Sequence, residues 1–122
     1  MNREGGWTRD SNLDATYIVA DSDRGKKIEL QAGESITVVL TGNPSTGFDW
    51  TVAEMNPEIL NLEERQFQPA SPYVGSGGQV RLHFCAVGSG RTRLKLHYRR
   101  SWETEKRPLR TWYVTLQIQE ED

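Results

Sequence analysis

Ser35-Ile36-Thr37-Val38-Val39-Leu40-Thr41-Gly42-Asn43-Pro44-Ser45-Thr46-Gly47-Phe48-Asp49-Trp50-Thr51-Val52 decides the fold. Ile36, Val38 and Leu40 alternate with Ser35, Thr37, Val39 and Thr41, a period of two that predicts a strand with one buried face. Trp50 and Val52 continue the alternation after the break, with Thr51 facing out. Between the two runs lies turn chemistry. Asn43 can open an Asx turn, Pro44 fixes its own φ, and Gly47 permits the positive φ that turns the chain back into a strand. The expected result is a stiff, blunt, uncharged loop between strands. Such a loop loses little entropy on entering a narrow cleft, and it carries no charge that would have to be buried there. The plainer reading is an ordinary strand connection, because Asn-Pro and Ser-Thr-Gly are common turn dipeptides and tripeptides.

Outward from this stretch, the same period recurs. Tyr17-Ile18-Val19 is a first short strand, and Ile28 and Leu30 straddle Glu29 in another. Ile59 to Phe67 is ambiguous: Ile59, Leu60 and Leu62 suit a helical turn, whereas Leu62 to Phe67 reads better as a strand. Val80, Leu82, Phe84 and Ala86 alternate with Gln79, Arg81, His83 and Cys85; Leu94, Leu96 and Tyr98 alternate with Arg93, Lys95 and His97. Trp112, Val114, Leu116 and Ile118 close the series, and Trp50 and Trp112 both fall on the inward phase. Pro57 ends the strand after Val52, since proline cannot sit mid-sheet.

About seven short strands with turns between them and no helix of useful length predict an all-β, immunoglobulin-like antiparallel β-sandwich with Greek-key connections. A single domain is expected over residues 16–119, with a mobile polar tail at 1–15 and a solvated tail at 120–122. There is one cysteine, Cys85, so apolar packing rather than a disulfide must join the sheets. At roughly 25 cal/mol per Å² of buried apolar surface, the inward set suffices.

Composition removes several function classes. The chain has 122 residues and a formal net charge of -2, which gives no basic footprint for nucleic acid. No apolar run approaches the roughly 20 residues that span a bilayer, and Met1 to Ala15 lacks an apolar signal core. The compartment is left open. His83 and His97, the two histidines, stand on outward phases of strands expected in different sheets, so a shared metal is not expected. Cys85 reads as a partly buried thiol rather than a nucleophile, because nothing supplies a base and an orienting group. Gly75-Ser76-Gly77-Gly78 lacks the Lys-Ser/Thr and helix of a phosphate loop. No enzyme chemistry and no cofactor are expected. Glu103, Glu105 and Lys106 read as a solvated charged loop.

Three connections stand out for length and composition: Gly42–Asp49, Gln68–Gly78 and Arg99–Arg110. Long loops without structure of their own are usually functional. In a Greek-key sandwich the first and third leave the same end, and the second is long enough to curl toward it.

Asn43-Pro44-Ser45-Thr46-Gly47-Phe48 closely resembles the Asn-Pro-Thr-Thr-Gly-Tyr/Phe signature of the chagasin family, protein inhibitors of papain-like cysteine peptidases. Val74-Gly75-Ser76-Gly77-Gly78 is similar to that family's glycine-rich loop. Tyr98-Arg99-Arg100-Ser101-Trp102 resembles its third element, a strand-ending Tyr, one residue, then Arg-Pro-Trp, with Ser101 standing where the family has proline. Arg107-Pro108 is rejected for that element, since Leu109 replaces the aromatic. The resemblance runs from about Ile28 to Ile118. It implies an immunoglobulin-like monomer that blocks the peptidase cleft reversibly. Asn43 to Phe48 would enter the cleft, with Thr46 near the catalytic thiolate and imidazolium. Val74 to Gly78 would lie on one side, and Arg100 with Trp102 on the other. The competing reading is a generic immunoglobulin-like adhesion, carbohydrate-binding or assembly module whose loops only resemble the signature.

Overall fold

The computed structural model describes residues 16–73 and 75–120. The expectations for the tail at 1–15 and for Val74 lie outside the described residues. Eight strands follow one another: β1 Thr16–Ala20, β2 Lys27–Gln31, β3 Ser35–Gly42, β4 Phe48–Glu54, β5 Leu60–Pro69, β6 Gly78–Ala86, β7 Gly90–Arg100 and β8 Arg110–Gln119. They form two four-stranded sheets, ordered β1-β3-β6-β5 and β2-β8-β7-β4. This is the immunoglobulin-like sandwich, with eight strands among the described residues where about seven were expected. The ambiguous segment divides: Ile59 lies in a turn, where its N–H and that of Leu60 both donate to the Asn56 carbonyl, and the strand starts at the fully buried Leu60.

The antiparallel expectation needs one correction. One outer strand of each sheet pairs parallel: β1 with β3 and β2 with β8. The cause is the count of reversals. Every strand runs opposite to the one before it, so odd strands share one direction and even strands the other. The pairs β3–β6, β5–β6, β4–β7 and β7–β8 join odd to even and are antiparallel. The pairs β1–β3 and β2–β8 join like to like.

The same parity places the site. Connections leaving odd strands all emerge at one end of the sandwich. The connection β5–β6 therefore opens directly beside β3–β4, without the curl expected from the sequence, and the register puts Gly42 opposite Gly78 and Gly78 opposite Pro69. The loops are also shorter than their composition suggests. Gln68, Pro69 and Gly78 belong to strands, as do Arg99, Arg100 and Arg110.

Between the sheets, Ile36, Val38 and Leu40 of β3 and Val80, Leu82 and Phe84 of β6 pack with Leu94, Leu96, Trp112, Val114, Leu116 and Ile118, all nearly or fully buried. These are the inward phases of the alternation. β5, by contrast, exposes Glu63, Glu64 and Arg65 along its length, and such charges blunt a sheet edge against further pairing. An Arg65–Asp49 ion pair clips this edge to β4 of the facing sheet.

Candidate functional site

The first loop, residues 43–47, is closed by its own atoms. The Asn43 side-chain oxygen accepts from the Ser45 N–H at 3.2 Å and the Ser45 hydroxyl at 2.6 Å, the Asx turn read from the sequence. The Asn43 carbonyl accepts from the Thr46 N–H at 3.1 Å and the Thr46 hydroxyl at 2.7 Å. Pro44 to Thr46 make one 3-10 turn, ended by Gly47 at φ 88°. With these bonds made inside the loop, little remains to order on binding. Ser45 and Thr46 form its exposed tip.

Below the loop stands an aromatic pillar. Phe48 stacks on Tyr98 with ring centroids 5.4 Å apart, and Trp50 tilts against Tyr98 at 4.9 Å. The Tyr98 hydroxyl accepts from the Asn43 N–H at 2.9 Å, and the Trp50 indole N–H donates to the Thr41 carbonyl at 3.0 Å. Arg110 covers the Trp50 ring at 5.1 Å and lies 3.5 Å from the Asp21 carboxylate. Asp21 in turn accepts from the Thr41 hydroxyl at 2.8 Å. Trp50 is thus core, as its phase predicts, Tyr98 is the buried strand-ending tyrosine of the third motif, and Arg110 and Asp21 are supports that sequence reading passed over. Their partners are distant in sequence, which left no local signal.

The second loop, residues 70–77, is tied to the first by the Asn43 side-chain amide, which donates to the Gly75 carbonyl at 2.9 Å. Gly75 takes φ 86° in open space. Ser76 turns its hydroxyl inward to the Tyr73 carbonyl at 2.8 Å. Gly78, grouped with these residues on sequence grounds, is the first residue of β6. A Cβ there would collide with the Gln68 carbonyl, so glycine at this position answers a need of the sheet.

The third loop, residues 101–109, closes on the opposite flank. The Arg100 Nε donates to the Thr46 carbonyl at 3.0 Å, while its guanidinium lies 4.5 Å from the Phe48 ring centroid and 5.9 Å from that of Trp102. Trp102 is 67% exposed, yet a Cβ at Gly47 would come within 2.5 Å of its ring. The loop is not simply a solvated charged turn. Glu103 keeps only 19% of its side-chain surface, with Lys106 Nζ at 3.2 Å and Arg100 Nη1 at 3.7 Å. Tyr73 and Leu109, both strongly exposed, sit on the flanking loops. The exposure of neither follows from spacing alone.

The three loops are thus tied into one wedge with an uncharged tip. His83 and His97 lie in different sheets, as expected. Burial, then the charges of Lys95 and Arg99, hold the His97 imidazole below its ordinary pKa. Among the described residues no group of three or more potential metal ligands occurs, and no helix is long and apolar enough to cross a membrane.

Residues 29–116 match the model of the chagasin family of peptidase inhibitors, family I42. The chain belongs to this family. Chagasin of Trypanosoma cruzi is 29% identical over 92 residues, covering 71% of this chain and 84% of chagasin. Amoebiasin-2 of Entamoeba histolytica is 28% identical over 105 residues, covering 83% of this chain and 84% of the relative. The crystal structure of the cysteine protease inhibitor EhICP2 from Entamoeba histolytica superposes with a TM-score of 0.75 at 26% identity, covering 86% of this chain and 96% of that one. This chagasin-family member is a cysteine peptidase inhibitor and not an enzyme.

Proposed function

We propose that the protein inhibits papain-like cysteine peptidases by seating the wedge in the catalytic cleft. In this reading Asn43, Pro44, Ser45, Thr46, Gly47 and Phe48 form the central element, with Thr46 at the thiolate. Gly75, Ser76 and Gly77 line one wall through backbone that can pair with an extended edge, with Val74 beside them. Arg100 and Trp102 line the other, with Trp102 as the apolar anchor. Gly78 supports the second loop from the sheet. The observation that carries the reading is the double tie of the first loop: Asn43 to Gly75 on one flank and Arg100 to Thr46 on the other. Two ties to a self-closed turn make a preorganised insert, which keeps the entropic cost of docking low. A rigid loop that offers no peptide carbonyl in attack geometry blocks the thiolate without being cut. The family membership disfavours a generic adhesion module, which would need none of these ties.

Steady-state inhibition of papain and cathepsin L tests this. Tight, reversible, competitive inhibition is expected. An absence of inhibition at micromolar concentration rejects it.

A further inference from the structure

The third loop has a mechanical problem that the first does not. Ser101 is the second residue of a four-residue turn, closed by the Glu103 N–H donating to the Arg100 carbonyl at 3.1 Å. Proline is favoured at that place in a turn, where its ring fixes φ, and the extended strand residue Arg100 before it suits a proline as well. Serine supplies no such stiffness. Yet the turn carries the exposed Trp102, and a loose arm would have to be ordered on every binding event.

Glu103 is where the loop is gathered. Its carboxylate lies 3.2 Å from Lys106 Nζ and 3.7 Å from Arg100 Nη1. Its carbonyl accepts from Arg99 Nη2 at 2.6 Å and from the Lys106 N–H at 3.3 Å. Arg100 then passes the restraint to the first loop through the Thr46 carbonyl. Isolated surface ion pairs contribute little, but a network that shares its ordered side chains is worth more than its separate pairs. Glu105, two residues on, is exposed and makes no ion pair among the described residues.

We propose that Glu103 is a positioning residue. It holds the third loop, and Trp102 on it, in the binding pose by charge, where a proline at position 101 would do so by its ring. The inference rests on the inhibitory reading of the site and deepens it.

The test compares Glu103→Gln, Ser101→Pro, the double variant and Glu105→Gln. Two quantities are read: the inhibition constant against papain, and the relaxation of the Trp102 indole N–H by NMR in the free protein. E103Q is expected to weaken inhibition about tenfold, chiefly through faster dissociation, and to raise Trp102 mobility with thermal stability nearly unchanged. S101P alone should inhibit at least as well as the wild type. The double variant should recover to within about threefold of wild type and regain Trp102 order. E105Q should change neither quantity. Wild-type inhibition by E103Q overturns the proposal. So does a loss that leaves Trp102 mobility unchanged and is not rescued by S101P, since Glu103 would then contact the peptidase directly. Impaired inhibition by S101P alone contradicts the turn argument and overturns it too. Were the wild type to inhibit nothing, the proposed function would fail, while the Trp102 relaxation would still decide whether Glu103 holds the loop.

Discussion

The first and third loops stand side by side on one end of the sandwich but are stiffened by different physics. Asn43 to Phe48 contains no ionisable side chain and closes through short neutral hydrogen bonds among Asn43, Ser45 and Thr46. Ser101 to Leu109 is held by charge, with Glu103 bound to cations on both sides. Neutral local bonds are insensitive to salt, whereas exposed ion pairs are screened at high ionic strength. In the proposed docking, the tip that would enter the cleft is therefore the part built to tolerate desolvation, and the charged machinery would stay on the flank, where water remains. A buried unpaired charge is costly, so the reverse arrangement would weaken docking.

The largest expected break in this comparison is Gly47→Val, because Gly47 is where the two loops touch. The residue sits at φ 88°, and a Cβ there meets the Trp102 ring. A β-branched residue strains the turn and displaces the anchor together, so inhibition should fall on the order of a hundredfold. Inhibition assays on the folded variant measure it, and a loss below about fivefold would mean the loops act separately.

Trp102→Ala comes next. It removes the third loop's contribution and leaves the first loop closed, so it should cost about 2 kcal/mol, roughly thirtyfold in the inhibition constant. A cost below about 0.5 kcal/mol would show that Trp102 is no anchor.

The smallest effect concerns pH. His97 lies on β7, the strand that feeds the third loop, and its folded pKa is depressed by burial and then by Lys95 and Arg99. The unfolded chain therefore binds the proton first. Stability should slip as pH falls below about 6.5 toward the folded value, and should be level above it. Thermal melts of His97→Gln should lose that slope. A slope unchanged in the variant would assign it to another group.

Where sequence reading succeeded, the signal was local. The alternation in β3, β6, β7 and β8 marked the buried faces, and the Asx turn with its positive-φ glycine was written in six consecutive residues. The parallel outer strands were not legible, since pairing of β1 with β3 depends on the number of reversals between them. Leu60 was hard to place because β5 is an edge strand whose other side chains, Phe67 apart, face solvent, which erases the period of two. At the loop end, the turn made by Asn43 and Gly47 was evident from motif chemistry. Glu103 was not, because a glutamate among Arg99, Arg100 and Lys106 looks like any charged loop until the turn folds them onto it. Gly78 was drawn into the site by its neighbours, although the close approach of the β5 backbone explains it.

Amide hydrogen exchange of the protein, free and bound to papain, tests the shared wedge most directly. Added protection is expected to be confined to residues 43–47, 70–77 and 101–109, appearing in all three at the same peptidase ratio. Protection of the sheet faces, or of one loop without the other two, would contradict it.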